Sequence, residues 1–341
     1  MKILYVEDDL SGTIDRLIRL FEKYLNKQAI DNLRILNNDE YGGTTDKIKE
    51  VVESTNIIEV ADSFPVALQE IVNDYERYAC FIVDRNLIDK KPYSFQEINQ
   101  IDHNYNNALY EKYREREGDY LLVWLGTKSP SVLQKFNFLS AYPKDDIRGI
   151  ETIQTFIDMK KFKEEQFFDK DDEGIVKLKK KIDKIEVLNT QYENRTFLDI
   201  LRTYLDENNA ELFLNVLSGK DEKNRIGANL KDIRKIYEAV LDRFAENHPE
   251  MRSVELDKSG KKIKLFNEFN KLKKDATTID WLNKNEHIND ILRNFFFSFK
   301  GICGTDGHPA SYQPTINTVN ALVYALKDTI LWFGDKCRKH S

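Results

Sequence analysis

Cysteine is scarce in this sequence. The 341 residues include three cysteines, Cys80, Cys303 and Cys337, which lie far apart and form no CxxC pair. An odd number of widely spaced cysteines argues against a disulfide framework, and the missing CxxC pair argues against a zinc ribbon. We therefore expect neither of these small cross-linked folds.

Glycine and proline are also few, at 14 and 7 residues, whereas 41% of the chain is hydrophobic. This balance excludes a collagenous, low-complexity or wholly disordered chain. Because a typical domain has roughly 150 residues, the length predicts about two domains with cores of their own.

Neither sign of charge dominates the chain. Lysine and arginine number 52, aspartate and glutamate number 58, and the formal net charge is −6. Binding to nucleic acid through a general basic field is therefore not expected, although a local basic patch stays open.

Long hydrophobic runs are absent as well. The acidic residues Glu7, Asp8 and Asp9 follow the first six residues directly, so that stretch cannot hold the apolar core of a secretory signal. The most apolar stretches, around 295–297 and 321–333, are interrupted well short of a membrane-spanning length. We expect a cytoplasmic protein with no membrane partner.

What the first half contains is an alternation of short apolar runs with helical patterns. This alternation predicts an α/β fold with a doubly wound, five-stranded parallel sheet. Two polar segments, near 27–55 and 90–117, interrupt it and are interpreted as insertions. The predicted strands are 2–6, 57–61, 79–83, 135–141 and 155–159.

The pattern changes after about residue 165. Strand signals nearly vanish, and apolar residues recur at three- and four-residue intervals over 197–217, 230–244 and 319–333. The sequence therefore predicts two domains, 1–165 with the sheet and 166–341 as an all-helical domain.

Polar side chains follow the predicted strands. Glu7 and Asp8 follow the first strand and Asp84 the third, Ser140 lies at the end of the fourth, and Lys160 follows the fifth. In a parallel sheet of this kind, ligands bind beyond the carboxyl ends of the strands, so these groups are expected to converge.

The carboxylates of this group suggest a metal. Oxygen ligands from Glu7, Asp8 and Asp84 are the hard donors that suit Mg²⁺. Asn86, two residues beyond Asp84, is a further candidate ligand through its backbone carbonyl.

These motifs together resemble the receiver domain of two-component response regulators. The resemblance covers about residues 1–165 and keeps the family's order of motifs at strand ends. The matching segments are Ile-Leu-Tyr-Val-Glu-Asp-Asp at 3–9, Phe-Ile-Val-Asp at 81–84, Phe-Leu-Ser-Ala at 138–141 and Met-Lys-Lys-Phe at 159–162.

The resemblance implies a role for each residue. Asp84 would accept a phosphoryl group, Glu7 and Asp8 would hold Mg²⁺, Ser140 would be the switch hydroxyl, and Lys160 would contact the phosphoryl group. The implied function is a signalling protein that receives its phosphoryl group from a sensor histidine kinase or a small phosphodonor. It would pass the signal to the helical domain. That domain is expected to bind a protein partner, and a homodimer is a further possibility.

The helical half supports a competing hypothesis. Arg293, the turn Gly-Thr-Asp-Gly-His ending at His308, and the following helix resemble, over about 225–335, the helical domain of abortive-infection proteins related to HEPN-type ribonucleases. That resemblance implies that Arg293 and His308 act on RNA, giving a receiver-gated ribonuclease in phage defence. The alternatives are an ordered turn at 304–309 and, for the whole chain, an interaction module that is never phosphorylated.

Overall fold

The structure is a computed structural model, and it describes residues 1–38, 44–88, 92–141, 151–247, 294–295, 298, 302–303 and 313–339. The chain divides into two compact units, Met1–Tyr192 and Glu193–Ser341.

The first unit is built on one five-stranded sheet in which all strands are parallel, with the order β2-β1-β3-β4-β5. This confirms the predicted α/β class and the parallel sheet. The strands are β1 (Lys2–Val6), β2 (Ile58–Ala61), β3 (Tyr78–Val83), β4 (Phe136–Ser140) and β5 (Phe167–Asp169).

Helices cover both faces of the sheet. Alternate residues of β1 enter different cores, Ile3 and Tyr5 on one face and Leu4 and Val6 on the other. This two-residue period is the one expected of a strand that is buried on both sides. The helices of this unit are α1 (Ile14–Phe21), α2 (Lys27–Asn38), α3 (Thr45–Glu53), α4 (Phe64–Asp74), α5 (Phe95–Ile101), α6 (Asn107–Tyr113), α7 (Glu117–Lys128), α8 (Glu151–Asp158), α9 (Asp172–Ile182) and α10 (Glu186–Glu193).

The two polar segments interpreted as insertions contain helices. Helices α2 and α3 lie in the first, and their residues Leu33, Ile48 and Val52 are fully buried in the core that includes β1. Helices α5 and α6 lie in the second, where Tyr105 and Tyr113 are buried. Both segments are polar on average and nevertheless contribute an apolar face to a core.

The prediction of a fifth strand at 155–159 is wrong. Residues 151–158 form helix α8, with Ile153 and Phe156 buried at a three-residue interval that suits a helix. The fifth strand is β5, which pairs with β4 through Phe138 and Phe167. The prediction failed because β5 has three residues, too few to show a strand period.

The predicted domain boundary at 165/166 differs from the division seen in the structure. Strand β5 and helix α9 both follow residue 165 but belong to the first unit, where Leu178 and Ile182 are fully buried in the same core as Leu17 and Phe21. The span 166–341 is therefore not all-helical.

The described elements of the second unit are all helices. They pack around a core that includes Phe213, Tyr237, Leu326 and Phe333. The rest of this unit lies outside the described residues, so an all-helical second domain stays a prediction. The helices are α11 (Arg195–Tyr204), α12 (Glu207–Gly219), α13 (Ile226–Asn247) and α14 (Ile316–Arg338).

Across the ranges given above, none of the helices combines the length and the apolar character needed to cross a membrane.

Candidate functional site

Three buried carboxylates meet at the carboxyl edge of the sheet. Glu7 and Asp8 follow β1, Asp84 follows β3, and one ligand oxygen from each lies within 4.8 Å of the others. The sheet register produces this cluster, because Val6 pairs with Val83 and the Asp84 amide donates to the Val6 carbonyl at 3.0 Å. The convergence of these three carboxylates agrees with the arrangement predicted from the sequence.

A lysine that the sequence analysis did not select completes the cluster. The Nζ atom of Lys170, directly after β5, lies 2.5 Å from Oδ2 of Asp84 and 2.8 Å from Oε2 of Glu7. The Lys170 amide also donates to the Ser140 carbonyl at 3.2 Å, which extends the pairing of β4 with β5 by one bond. Lys170 therefore bridges the two carboxylates from a backbone position fixed by the sheet.

Strand alternation explains why these side chains share one face. Tyr5, Ile82 and Phe168 all point into the same core. Glu7, Asp84 and Lys170 each lie two residues later in the chain, one residue beyond the end of β1, β3 and β5. Since side chains two apart point to the same side of an extended chain, this spacing agrees with the contacts that Lys170 makes to Glu7 and Asp84. The site therefore follows from the pairing register of the strands and from their two-residue side-chain alternation.

Lys160 does not follow the fifth strand of the sheet. It follows the end of α8, it is exposed, and its backbone φ of 55° lies in the left-handed region typical of a residue that terminates a helix. The prediction that Lys160 follows the fifth strand is therefore wrong, because the residue that follows β5 is Lys170.

Arg16 is a second cation of the site that the sequence analysis missed. It lies on α1, and its guanidinium nitrogen is 3.3 Å from Oε2 of Glu7. In the sequence it is an ordinary polar position on an amphipathic helix, with no signal that separates it from a solvated arginine.

Burial sets the protonation of Glu7. The pKa of this carboxyl is raised from 4.5 to about 7, mainly because burial disfavours the charged form and also because Asp84 lies nearby, while Lys170 and Arg16 act in the opposite direction. For Lys170, burial alone lowers the pKa of the ammonium, but Glu7 and Asp84 more than compensate and leave that pKa raised. Lys170 is therefore positively charged at neutral pH, whereas Glu7 is close to its midpoint.

Ser140 and Asn86 lie where the sequence predicted them. Ser140 is the last residue of β4 and is buried, opposite Asp169 of β5. Asn86 is also buried, and its side-chain oxygen accepts a hydrogen bond from the Ile88 amide at 3.2 Å. The switch role of Ser140 and the metal-ligand role of the Asn86 carbonyl stay predictions.

The loop after β3 carries a buried ion pair. The Arg85 guanidinium makes a two-pronged contact with Asp119 of α7, with Nε 3.0 Å from Oδ1 and one terminal nitrogen 2.9 Å from Oδ2. Both side chains are at most 2% exposed. Because the two residues are 34 positions apart in the sequence, no local sequence pattern predicts this pair.

Arg293 and His308, the candidate residues of the ribonuclease hypothesis, lie outside the described residues.

The chemistry of the cluster suits a hard divalent cation. Three carboxylates offer oxygen ligands, the donor type that Mg²⁺ prefers, and a cation would offset the repulsion between them. Among the described residues, Glu7, Asp8 and Asp84 form the one group of three acidic, histidine or cysteine side chains that lie close enough together to share one ion.

Comparison with family models, with curated proteins and with solved structures finds no match for this chain.

Proposed function

We propose that the unit Met1–Tyr192 is a receiver-like domain in which Asp84 accepts a phosphoryl group. The observation that carries this proposal is the position of Lys170, whose Nζ atom bridges Asp84 and Glu7 at the carboxyl edge of the sheet. A buried nucleophilic carboxylate, two further carboxylates and one ammonium form the set of groups that aspartyl phosphorylation requires.

The topology supports the same proposal. The strand order β2-β1-β3-β4-β5 is the flavodoxin-like order, which receiver domains share. In such sheets the ligand site lies beyond the strand ends where the connections diverge, here between β1 and β3. Glu7, Asp8 and Asp84 occupy that position.

The proposed reaction transfers a phosphoryl group to a carboxylate oxygen. An oxygen of Asp84 attacks phosphorus in line, the new O–P bond forms, and the bond between phosphorus and the donor's leaving atom breaks. The leaving group departs with the electron pair of that bond. Lys170 stays protonated and offsets the negative charge on the phosphoryl oxygens.

Glu7, Asp8 and Asp84 would hold Mg²⁺, with the Asn86 carbonyl as a further proposed ligand. When bound, the cation supplies charge neutralisation between the carboxylates and the incoming phosphoryl group. The protein's own contribution is to hold the carboxylates within 4.8 Å of one another before the donor arrives.

Ser140 would couple phosphorylation to the rest of the molecule. A new acylphosphate offers strong acceptor oxygens that can capture the Ser140 hydroxyl, and this capture would draw the end of β4 inward. In this proposal the helices of the second unit form the effector that responds, which makes the chain a response-regulator-like signalling protein. Its phosphodonor would be a histidine kinase or a small acyl phosphate.

The direct test is intact mass after incubation with acetyl phosphate and Mg²⁺. We expect the wild type to gain one phosphoryl group and Asp84→Asn to gain none, because an amide is a poor nucleophile. Asp62→Asn is the matched control, since Asp62 is also a buried carboxylate directly after a strand, β2, but it pairs with Lys49 at 3.6 Å.

Two results would contradict the proposal. One is a wild-type mass that does not change, in which case the cluster serves an unphosphorylated interaction module. The other is a gain that Asp84→Asn retains. A chelator should abolish the gain, because the carboxylates then repel the donor.

A further inference from the structure

The first turn of α7 binds the loop that follows Asp84 through hydrogen bonds and an ion pair. The Gly118 amide donates to the Arg85 carbonyl at 3.0 Å, and Asp119 accepts both prongs of the Arg85 guanidinium. The Leu87 amide donates to Oε2 of Glu117 at 3.1 Å. Three consecutive residues of one helix thus hold the backbone between Asp84 and Leu87.

The same loop orients the Asp84 carboxylate. The Arg85 amide donates to Oδ1 of Asp84 at 2.7 Å, while Lys170 approaches Oδ2 at 2.5 Å. The two oxygens are therefore distinguished, one by a backbone donor and one by an ammonium. The position of that backbone donor depends on how the Arg85 peptide is held.

Gly118 allows the helix to approach this peptide. A Cβ atom at position 118 would lie 2.3 Å from the Asp84 carbonyl oxygen and 2.9 Å from the Arg85 Cα atom. Both distances are too short for any side chain, and the obstacle is backbone that cannot rotate away. A glycine is required here by the close approach of α7 to the acceptor residue.

We propose that Arg85 and Asp119 are positioning residues, which orient the Asp84 carboxylate for phosphoryl transfer by fixing the peptide whose amide binds Oδ1. This inference rests on the proposed function of Asp84. Because the Arg85 guanidinium is held by Asp119 and is 2% exposed, it acts through the loop and does not contact the phosphoryl group. The pair itself takes no part in bond making.

The competing explanation is that the pair serves stability alone. A buried ion pair is strongly destabilising when one partner is removed, whereas replacing both partners by apolar residues of similar volume is often neutral or stabilising. The double substitution Arg85→Met with Asp119→Leu therefore separates the two explanations. It keeps the packing and removes the two-pronged contact.

The kinetic test measures the phosphorylation rate constant at saturating acetyl phosphate and Mg²⁺, together with the thermal midpoint. For the double variant we expect a midpoint close to the wild-type value and a rate constant lower by about tenfold or more, with an unchanged KM for acetyl phosphate. A double variant in which both the rate constant and the thermal midpoint equal the wild-type values would overturn the proposal.

A second variant covers the case in which the double variant fails to fold. Arg85→Lys keeps the positive charge beside Asp119 but cannot make the two-pronged contact. We expect this folded variant to show the same loss of rate constant. A wild-type rate constant in Arg85→Lys would overturn the proposal.

A spectroscopic measurement distinguishes failure of this inference from failure of the proposed function. In protein labelled with [¹⁵N]arginine, the Arg85 amide proton should resonate downfield and exchange slowly, because it is bound to a carboxylate. In Asp119→Asn we expect that resonance to move upfield and exchange faster, and an unchanged resonance would overturn the positioning role. Absence of wild-type phosphorylation would instead overturn the proposed function, and the resonance would still decide whether Asp119 positions the carboxylate.

Discussion

The Lys170 Nζ atom lies 2.5 Å from Oδ2 of Asp84, although the two residues are 86 positions apart in the sequence. The contact joins the residue after β5 to the residue after β3, across the intervening strand β4. It places a charged ammonium beside the carboxylate that we propose as the phosphoacceptor.

Neutralising Lys170 should slow phosphorylation of Asp84. We expect Lys170→Gln to lower the rate constant with acetyl phosphate by about a hundredfold, the order of effect seen when one stabilising donor is removed from an active site. Time-resolved intact mass measures this rate constant.

Lys160 provides the matched control for that substitution. It is exposed at the end of α8, so Lys160→Gln should leave the rate constant within about twofold of the wild type. Equal effects of the two substitutions would show that Lys170 has no special role in the transfer.

The sequence predicted the parts of the site that follow long strands. Strands β1, β2, β3 and β4 fall within one residue of their predicted bounds, because each is a run of four to six residues with apolar positions. The carboxylates after β1 and β3 were therefore placed correctly.

The fifth strand was predicted wrongly for a physical reason. In β5, Phe167 and Phe168 are the apolar residues, and the chain reaches the sheet partly because Gln166 donates hydrogen bonds to the carbonyls of Leu133 and Phe136. Such contacts depend on tertiary structure. Two sequence features would have located the site lysine. The buried residues Ile153 and Phe156 have a helical spacing, which argues against a strand there, and the aromatic pair Phe167 and Phe168 comes shortly before Lys170.

Mg²⁺ binding should strengthen as the pH rises through neutrality. Burial raises the pKa of Glu7 to about 7, and a protonated carboxyl is a poor metal ligand. Titration calorimetry at about pH 6 and about pH 8 should show tighter binding at the higher pH. The variant Glu7→Gln should lose most of this pH dependence, and a wild-type affinity that does not change with pH would contradict the role of Glu7.

The same shift predicts an opposite trend for stability without metal. Because the pKa of Glu7 is raised in the folded state from 4.5 to about 7, the folded protein holds a proton that the unfolded chain has lost between these values. The contribution of Glu7 to the free energy of unfolding should therefore fall as the pH rises through this window. Chemical denaturation in the presence of chelator, carried out on the wild type and on Glu7→Gln at several pH values, measures this contribution. A contribution that grows with pH would contradict the raised pKa of Glu7.

A single methyl group at position 118 should disturb the acceptor loop. In Gly118→Ala the new Cβ atom would lie 2.3 Å from the Asp84 carbonyl oxygen, so either α7 or the loop must shift. We expect a lower thermal midpoint and at least a tenfold slower phosphorylation. Gly227→Ala is the control, because in the described part of the chain a Cβ atom there would meet no heavy atom within 4 Å beyond its chain neighbours and its own helix backbone, and Ala favours a helix by about 1 kcal/mol over Gly. Equal behaviour of the two variants would contradict the close approach.

The extent of the first unit can be tested with two fragments. Fragment 1–192 contains β5, Lys170 and α9, and we expect it to unfold cooperatively and to accept a phosphoryl group. Fragment 1–165 lacks all three and would leave the edge of β4 and the core against Leu17 and Phe21 uncovered. We expect it to aggregate or stay unfolded, as measured by circular dichroism and gel filtration. A folded, phosphorylatable fragment 1–165 would contradict this division of the chain.

The most direct test of the central claim is to locate the phosphoryl group in the chain. Borohydride reduces an aspartyl acylphosphate to homoserine, and peptide mass spectrometry then identifies the converted residue. After incubation of the wild-type protein with acetyl phosphate and Mg²⁺, the account predicts homoserine at position 84 and unmodified aspartate at position 8. Conversion at any other residue, or no conversion at position 84, would contradict it.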